Sequence, residues 1–279
     1  MKYLRIIVLV FLSVFVSCSS DLEVPDANDL DGLSKIQEIV NDTHTIELFS
    51  ATGTLQQGHN AISLRIKNKT TNEYEKDVAV TWSPLMNMTS MQHACPYSPV
   101  VKTAEKESLY NGYIVFQMAE NETEHWTLTL NYTIDGVAYI ASSQIKVPAS
   151  AKRRVTSFTA TDGKKYVMAL IDPVTPKVAL NAITVGIFRM ESMMKFPVVD
   201  NFKVKIDPRM PSMGNHGSPN NSDLQQSVSD QLYHGKLSLT MTGFWKINLQ
   251  LLNASNEVVK GETVTDNVSA SSIYFEIEF

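Results

Sequence analysis

His59-Asn60-Ala61-Ile62-Ser63-Leu64-Arg65-Ile66 returns later in the chain as Leu180-Asn181-Ala182-Ile183-Thr184-Val185-Gly186-Ile187. In the first copy Ile62, Leu64 and Ile66 fall on every second position with polar residues between, the period of a strand with one buried face. Outward from this stretch, further blocks recur in the same order. Residues 78–84 (VAVTWSP) return as residues 202–208 (FKVKIDP), and residues 109–118 (LYNGYIVFQM) return as residues 232–241 (LYHGKLSLTM). Each set ends in a tryptophan, Trp126 or Trp245, that opens another alternating run. Ordered internal similarity of this kind marks a repeated structural unit. Asn111-Gly112, Asp135-Gly136 and Asp162-Gly163 read as turn signals that divide the runs. The sequence therefore predicts an all-β chain of two tandem Ig-like β-sandwiches, residues 46–148 and 155–279, joined through the Pro, Ala, Ser and basic residues of 148–154. One short helix is expected over residues 33–40.

The chain has 279 residues, 43% of them hydrophobic, which is ample for such cores. Twenty-four Lys and Arg against 29 Asp and Glu give a net charge of −5. A nucleic-acid partner, which requires a basic face, is not expected. Met1 to Arg5 form a short basic start, followed by an apolar run too short to span a bilayer and then Val16-Ser17-Cys18-Ser19-Ser20. This resembles the lipobox of bacterial lipoproteins. The resemblance implies a signal peptide over residues 1–17, a lipid on Cys18 that holds the protein to a membrane, and an acidic tether over residues 18–45. The acidic residues after Cys18 resemble the surface-export signal of Bacteroidetes lipoproteins. The implied location is the bacterial cell envelope, at the outer membrane, facing the periplasm or the cell surface. Eight N-x-[ST] triplets would suit a glycosylated ectodomain, but an Asn- and Thr-rich β protein yields them by chance.

After the strand ending in Pro84 or Pro208, each copy carries a loop with Met-x2-Met, a histidine, and a proline three residues beyond it. The residues are Met88, Met91 and His93 in the first copy, and Met210, Met213 and His216 in the second. Thioether and imidazole suit copper, Cu(I) above all, without excluding zinc. The plainer reading of the same methionines is that they plug the open end of each sandwich. Met118 and Met241 end inward-facing stripes and read as core, with a ligand role second. Cys95 reads as a small buried hydrophobe before it reads as a thiolate ligand. The spacing differs between the copies, one residue between Met91 and His93 but two between Met213 and His216, so the loops are not expected to coordinate alike.

The order Met-x2-Met, His, Tyr-x-Gly, strand, Met and Trp is similar to that of the YtkA-like and FixH-like group, over both units. That resemblance implies small Ig-like extracytoplasmic domains linked to copper handling and oxidase assembly. Motifs of enzymes are missing: no GxSxG, HExxH, GxxxxGK[ST] or GxGxxG occurs. The expected function is a non-enzymatic envelope lipoprotein that binds or relays copper, with a copper ion or a copper-handling protein as partner. The alternative is a metal-free module that presents its loops to a protein or glycan.

Overall fold

Alternation along the repeated blocks does produce strands, and the chain is all-β. The computed structural model describes residues 29–279, so the leader, Cys18 and the start of the acidic tether lie outside the described residues. The N-terminal half comprises β1 (Ser34–Val40), β2 (His44–Ser50), β3 (Gly58–Asn68), β4 (Ala79–Asn87), β5 (Gln92–Ala94), β6 (Val101–Lys102), β7 (Tyr110–Phe116), β8 (His125–Ile134) and β9 (Val137–Ile145). These strands form one sheet ordered β1-β2-β3-β7-β6 and another ordered β5-β4-β8-β9. Ile46, Leu64 and Phe116 from the first meet Trp82, Trp126 and Leu130 from the second in one buried cluster.

The C-terminal half comprises β10 (Val155–Thr159), β11 (Lys165–Asp172), β12 (Ala179–Met190), β13 (Lys203–Met210), β14 (His216–Gly217), β15 (Ser222–Gln226), β16 (Tyr233–Leu239), β17 (Phe244–Leu252), β18 (Val258–Lys260) and β19 (Tyr274–Glu278). Its own cluster includes Ile183, Trp245 and Phe275. Here β15 pairs with β16 and then with β13, so the two layers run on as a single ten-stranded sheet.

The sequence repeat extends to register. Ile62 pairs with Gly112 between β3 and β7, and Ile183 with Gly235 between β12 and β16. Pro84 pairs with Leu128, and Pro208 with Ile247. Asn60 and Asn181, shared by the two quoted stretches, act alike: each side-chain oxygen accepts from the backbone N–H four residues earlier, and each amide nitrogen donates to the carbonyl of that residue. The Tyr110 hydroxyl accepts from Val78 N–H and donates to the Lys76 carbonyl, while that of Tyr233 accepts from Phe202 N–H and donates to Val199. Each tyrosine thereby clamps the entry to the β4 or β13 strand from the opposite layer.

The N-terminal boundary differs from expectation. Residues 34–40 form β1 rather than a helix, and the region assigned to the tether contains this strand. A bulge between Lys35 and Gln37 inserts one residue, so Ile36 and Ile39 both reach the core at a spacing of three. That spacing imitates a helical period. Side chains of β1 and its turn also reach across to the outer edge of β9, where Gln37 donates to the Gln144 carbonyl and Asn41 to that of Ile140.

The halves meet through a third cluster, in which Val115 of β7 packs with Val155, Val167, Ala169 and Phe188. Beside it, His59 and Tyr113 bring their ring centroids within 5.1 Å. Burial pushes the His59 pKa down to about 4, with Asp172 partly opposing and Arg154 reinforcing the shift.

Two outcomes follow from this packing. A Cβ on Gly112 would lie 2.6 Å from Trp82 Cζ2 and 2.9 Å from the Pro99 carbonyl oxygen, and one on Gly235 would lie 2.8 Å from the Ser222 carbonyl oxygen. Gly112→Ala and Gly235→Ala should each lower stability by roughly 1–3 kcal/mol, read as a lower urea midpoint. His59 titrates near 6.5 when unfolded. Its neutral ring therefore supports the fold fully above about pH 6.5, and that support is withdrawn as pH falls toward 4. The urea midpoint should drop across this window, and drop less in His59→Gln.

Candidate functional site

The hairpin β4–β5 places Met86 opposite His93, and the hairpin β13–β14 places Met210 opposite His216. Counted from Pro84 and Pro208, the structural partner of Met210 is Met86 and not Met88. The two Met-x2-Met motifs are therefore not equivalent in space. Met88 and Met91 form the first hairpin's tip, closed by Met88 N–H to the Met91 carbonyl at 2.9 Å, whereas Met210 is still in its strand and Met213 ends a one-turn 3-10 helix.

The six predicted ligands scatter accordingly. Met91 is 52% exposed and Met213 56% exposed; Met88 leans on the N-terminal core, Met210 is buried and His216 is exposed. Of the two histidines, only His93 turns inward. Its Nε2 lies 3.3 Å from Met118 Sδ, its Nδ1 lies 2.8 Å from the Ala94 carbonyl oxygen, and its ring stands edge-on to Trp126 with centroids 5.7 Å apart. Among the described residues its ring nitrogens meet Ala94, Gln117 and Met118, and not the tip methionines. The imidazole is thus paired with the methionine read first as core.

Trp126 sets this geometry. Its indole N–H donates to the Met118 carbonyl at 3.0 Å, just as Trp245 donates to Met241 at 3.0 Å. The bond pins the segment between β7 and β8, so the Met118 thioether is delivered to the His93 ring. A carbonyl only accepts, so Nδ1 carries the hydrogen and Nε2 of the neutral ring presents a lone pair. The thioether also presents only lone pairs. Two acceptors at 3.3 Å leave a place for a proton on Nε2 or for a soft cation.

Gln117 closes the other side of the ring. Its Nε2 is 3.4 Å from the Ala94 carbonyl oxygen and 3.5 Å from His93 Nδ1, while its Oε1 is buried with no partner. Exchanging the two ends of the amide leaves the other end unpaired, so this polar group is unsatisfied either way.

The remaining candidates resolve as follows. Cys95 lies in the N-terminal core, where burial pushes its thiol well above the usual range, which suits an inert hydrophobe and not a thiolate. His234 pairs with Asp230 at 2.9 Å. His44, which sequence reasoning passed over, is buried between Tyr132 and Tyr139, with Nδ1 on Thr43 Oγ1 and Nε2 3.6 Å from Glu75. Among the described residues no group of three or more His, Cys, Asp or Glu converges. No protein-family model matches the chain, and comparison with curated proteins gives no match.

The Cys95 environment has a direct readout. In folded Cys18→Ser protein, a water-soluble maleimide should leave Cys95 unmodified and should label it once guanidinium unfolds the chain; prompt labelling of the native state would show an accessible thiol.

Proposed function

We propose that this chain is a non-enzymatic cell-envelope lipoprotein, anchored through lipid on Cys18, that binds copper, preferentially Cu(I), and exchanges it with a copper-handling partner. The observation that carries the reading is the His93 Nε2 to Met118 Sδ approach of 3.3 Å. With metal bonds near 2.0 Å to nitrogen and 2.3 Å to sulfur as a guide, two ligands so spaced subtend about 100° at one ion, a little below the tetrahedral angle. Nδ1 donation to a backbone carbonyl is the usual device that fixes the ligating tautomer. The repeated register, with Met86 and Met210 at matching positions, supports the resemblance to tandem YtkA-like and FixH-like units of Ig-like type. When bound, a copper ion would supply transferable charge rather than catalysis, and the chain's part is to present soft ligands and exclude hard ones.

The exposed Met91 and Met213 support a second reading, in which the hairpin tips meet a protein or glycan and no metal is involved.

A competition titration of the full chain against a Cu(I) chelator, under reducing and anaerobic conditions, separates the two. Wild type should take up one tightly held ion per chain. Met118→Leu, which nearly conserves volume and so the fold, should weaken binding about 10-fold or more, equivalent to about 1.4 kcal/mol. His93→Ala with Met118→Leu should abolish it, while Met213→Leu and His216→Ala leave it unchanged. A folded wild type that takes up no Cu(I) would transfer the conclusion to the metal-free module.

A further inference from the structure

The His93 site lies at the seam between the halves. Ala94, the next residue, donates its backbone N–H to the carbonyl of Met193 at 2.8 Å, and its own carbonyl holds His93 Nδ1. Met193 belongs to the turn at residues 191–195 that follows β12, so a turn from the C-terminal half is laid along the outer edge of β5. The turn is built firmly. Glu191 N–H donates to the Lys195 carbonyl at 3.0 Å, Lys195 N–H to that of Ser192 at 3.3 Å, and Met194 N–H to Ser192 Oγ at 3.2 Å.

Its chemistry is selective. The carboxylate of Glu191 is already held by Arg189 and Lys195, so its hard oxygen ligands are engaged. What the turn offers instead is two consecutive thioethers, Met193 36% exposed and Met194 50% exposed. The unsatisfied amide of Gln117 faces the same seam, in a cavity of about 270 Å³ that it shares with Met190 and Phe196.

We propose that the Met193-Met194 turn supplies the further thioether that completes the His93 and Met118 pair, so that one soft monovalent cation is held across both halves of the chain. The inference rests on the proposed copper function and goes beyond it, because it makes the site a property of the junction and not of either repeat. Nitrogen and sulfur from the N-terminal half with sulfur from the C-terminal half give a three-coordinate soft set. Binding then stabilises the junction by mass action. In the corresponding hairpin of the second repeat His216 is exposed, in keeping with one site in a chain with two copies of the motif.

The test uses the full chain labelled with 13C at its methionine methyl groups and titrated with Ag(I), a diamagnetic soft cation. The 12 methionine signals are assigned by single Met→Leu variants. At one equivalent, the Met118 signal should shift together with that of Met193 or Met194. Met193→Leu with Met194→Leu should weaken Ag(I) binding at least 10-fold and leave the metal-free urea midpoint unchanged. If Met118 shifts alone and the double variant binds as wild type does, the shared site is wrong and the copper reading stands on the N-terminal half. If Met193 and Met194 shift without Met118, they form a separate surface site and the proposal also fails. If none of the three shifts, this inference and the function it rests on fall together.

Discussion

Each half of the chain is organised round a buried indole whose N–H donates to the carbonyl of a methionine that precedes it, Trp126 to Met118 and Trp245 to Met241. Buried indoles need a partner, since an orphaned N–H costs about as much as several well-made contacts return. Satisfying Trp126 through the backbone fixes where the chain leaves β7 and enters β8. That, in turn, fixes the Met118 thioether, and so the only inward-facing histidine of the two hairpins finds sulfur rather than another hydrocarbon. The tyrosine clamps at Tyr110 and Tyr233 work in the same way one layer across, joining opposite layers by a hydroxyl that both accepts and donates.

Much of this frame was legible beforehand. The period of two, the recurring Asn-Ala and Tyr-x-Gly pairs and the trailing tryptophan all mark positions where backbone geometry is set locally, and those positions superimpose in register. Three things were not legible. The bulge in β1 counterfeited a helix because one inserted residue changes the spacing of its inward side chains. The pairing of Met210 with Met86 instead of Met88 depends on where β4 ends, which the shared proline indicates only if one counts from it. The contact between His93 and Met118 joins residues far apart in sequence, and no spacing rule encodes such an approach; the position of Met118, at the end of the Tyr-x-Gly strand and shortly before Trp126, was the available hint.

The two copies have also diverged in a way that composition does not disclose. In the second, β15 ties both layers into one sheet, and its hairpin histidine stays in solvent. In the first, the layers stay separate, β5 donates a backbone bond to the other half, and its histidine is enclosed. One repeat forms a continuous sheet and the other bears the enclosed histidine. The asymmetry arises at their contact, where the turn after β12 closes over the edge of β5.

The reach of Gln37 and Asn41 across to the carbonyls of Gln144 and Ile140 has a consequence for behaviour at high density. Strand β9 ends its sheet, and Val137 and Ile140 are exposed along it. An open edge of that kind invites the same strand of a neighbouring molecule to add on, and repetition of the contact builds fibres. Capping two of its acceptors with amide side chains from β1 and its turn removes the template, so copies crowded together can slide past one another without stitching into a sheet.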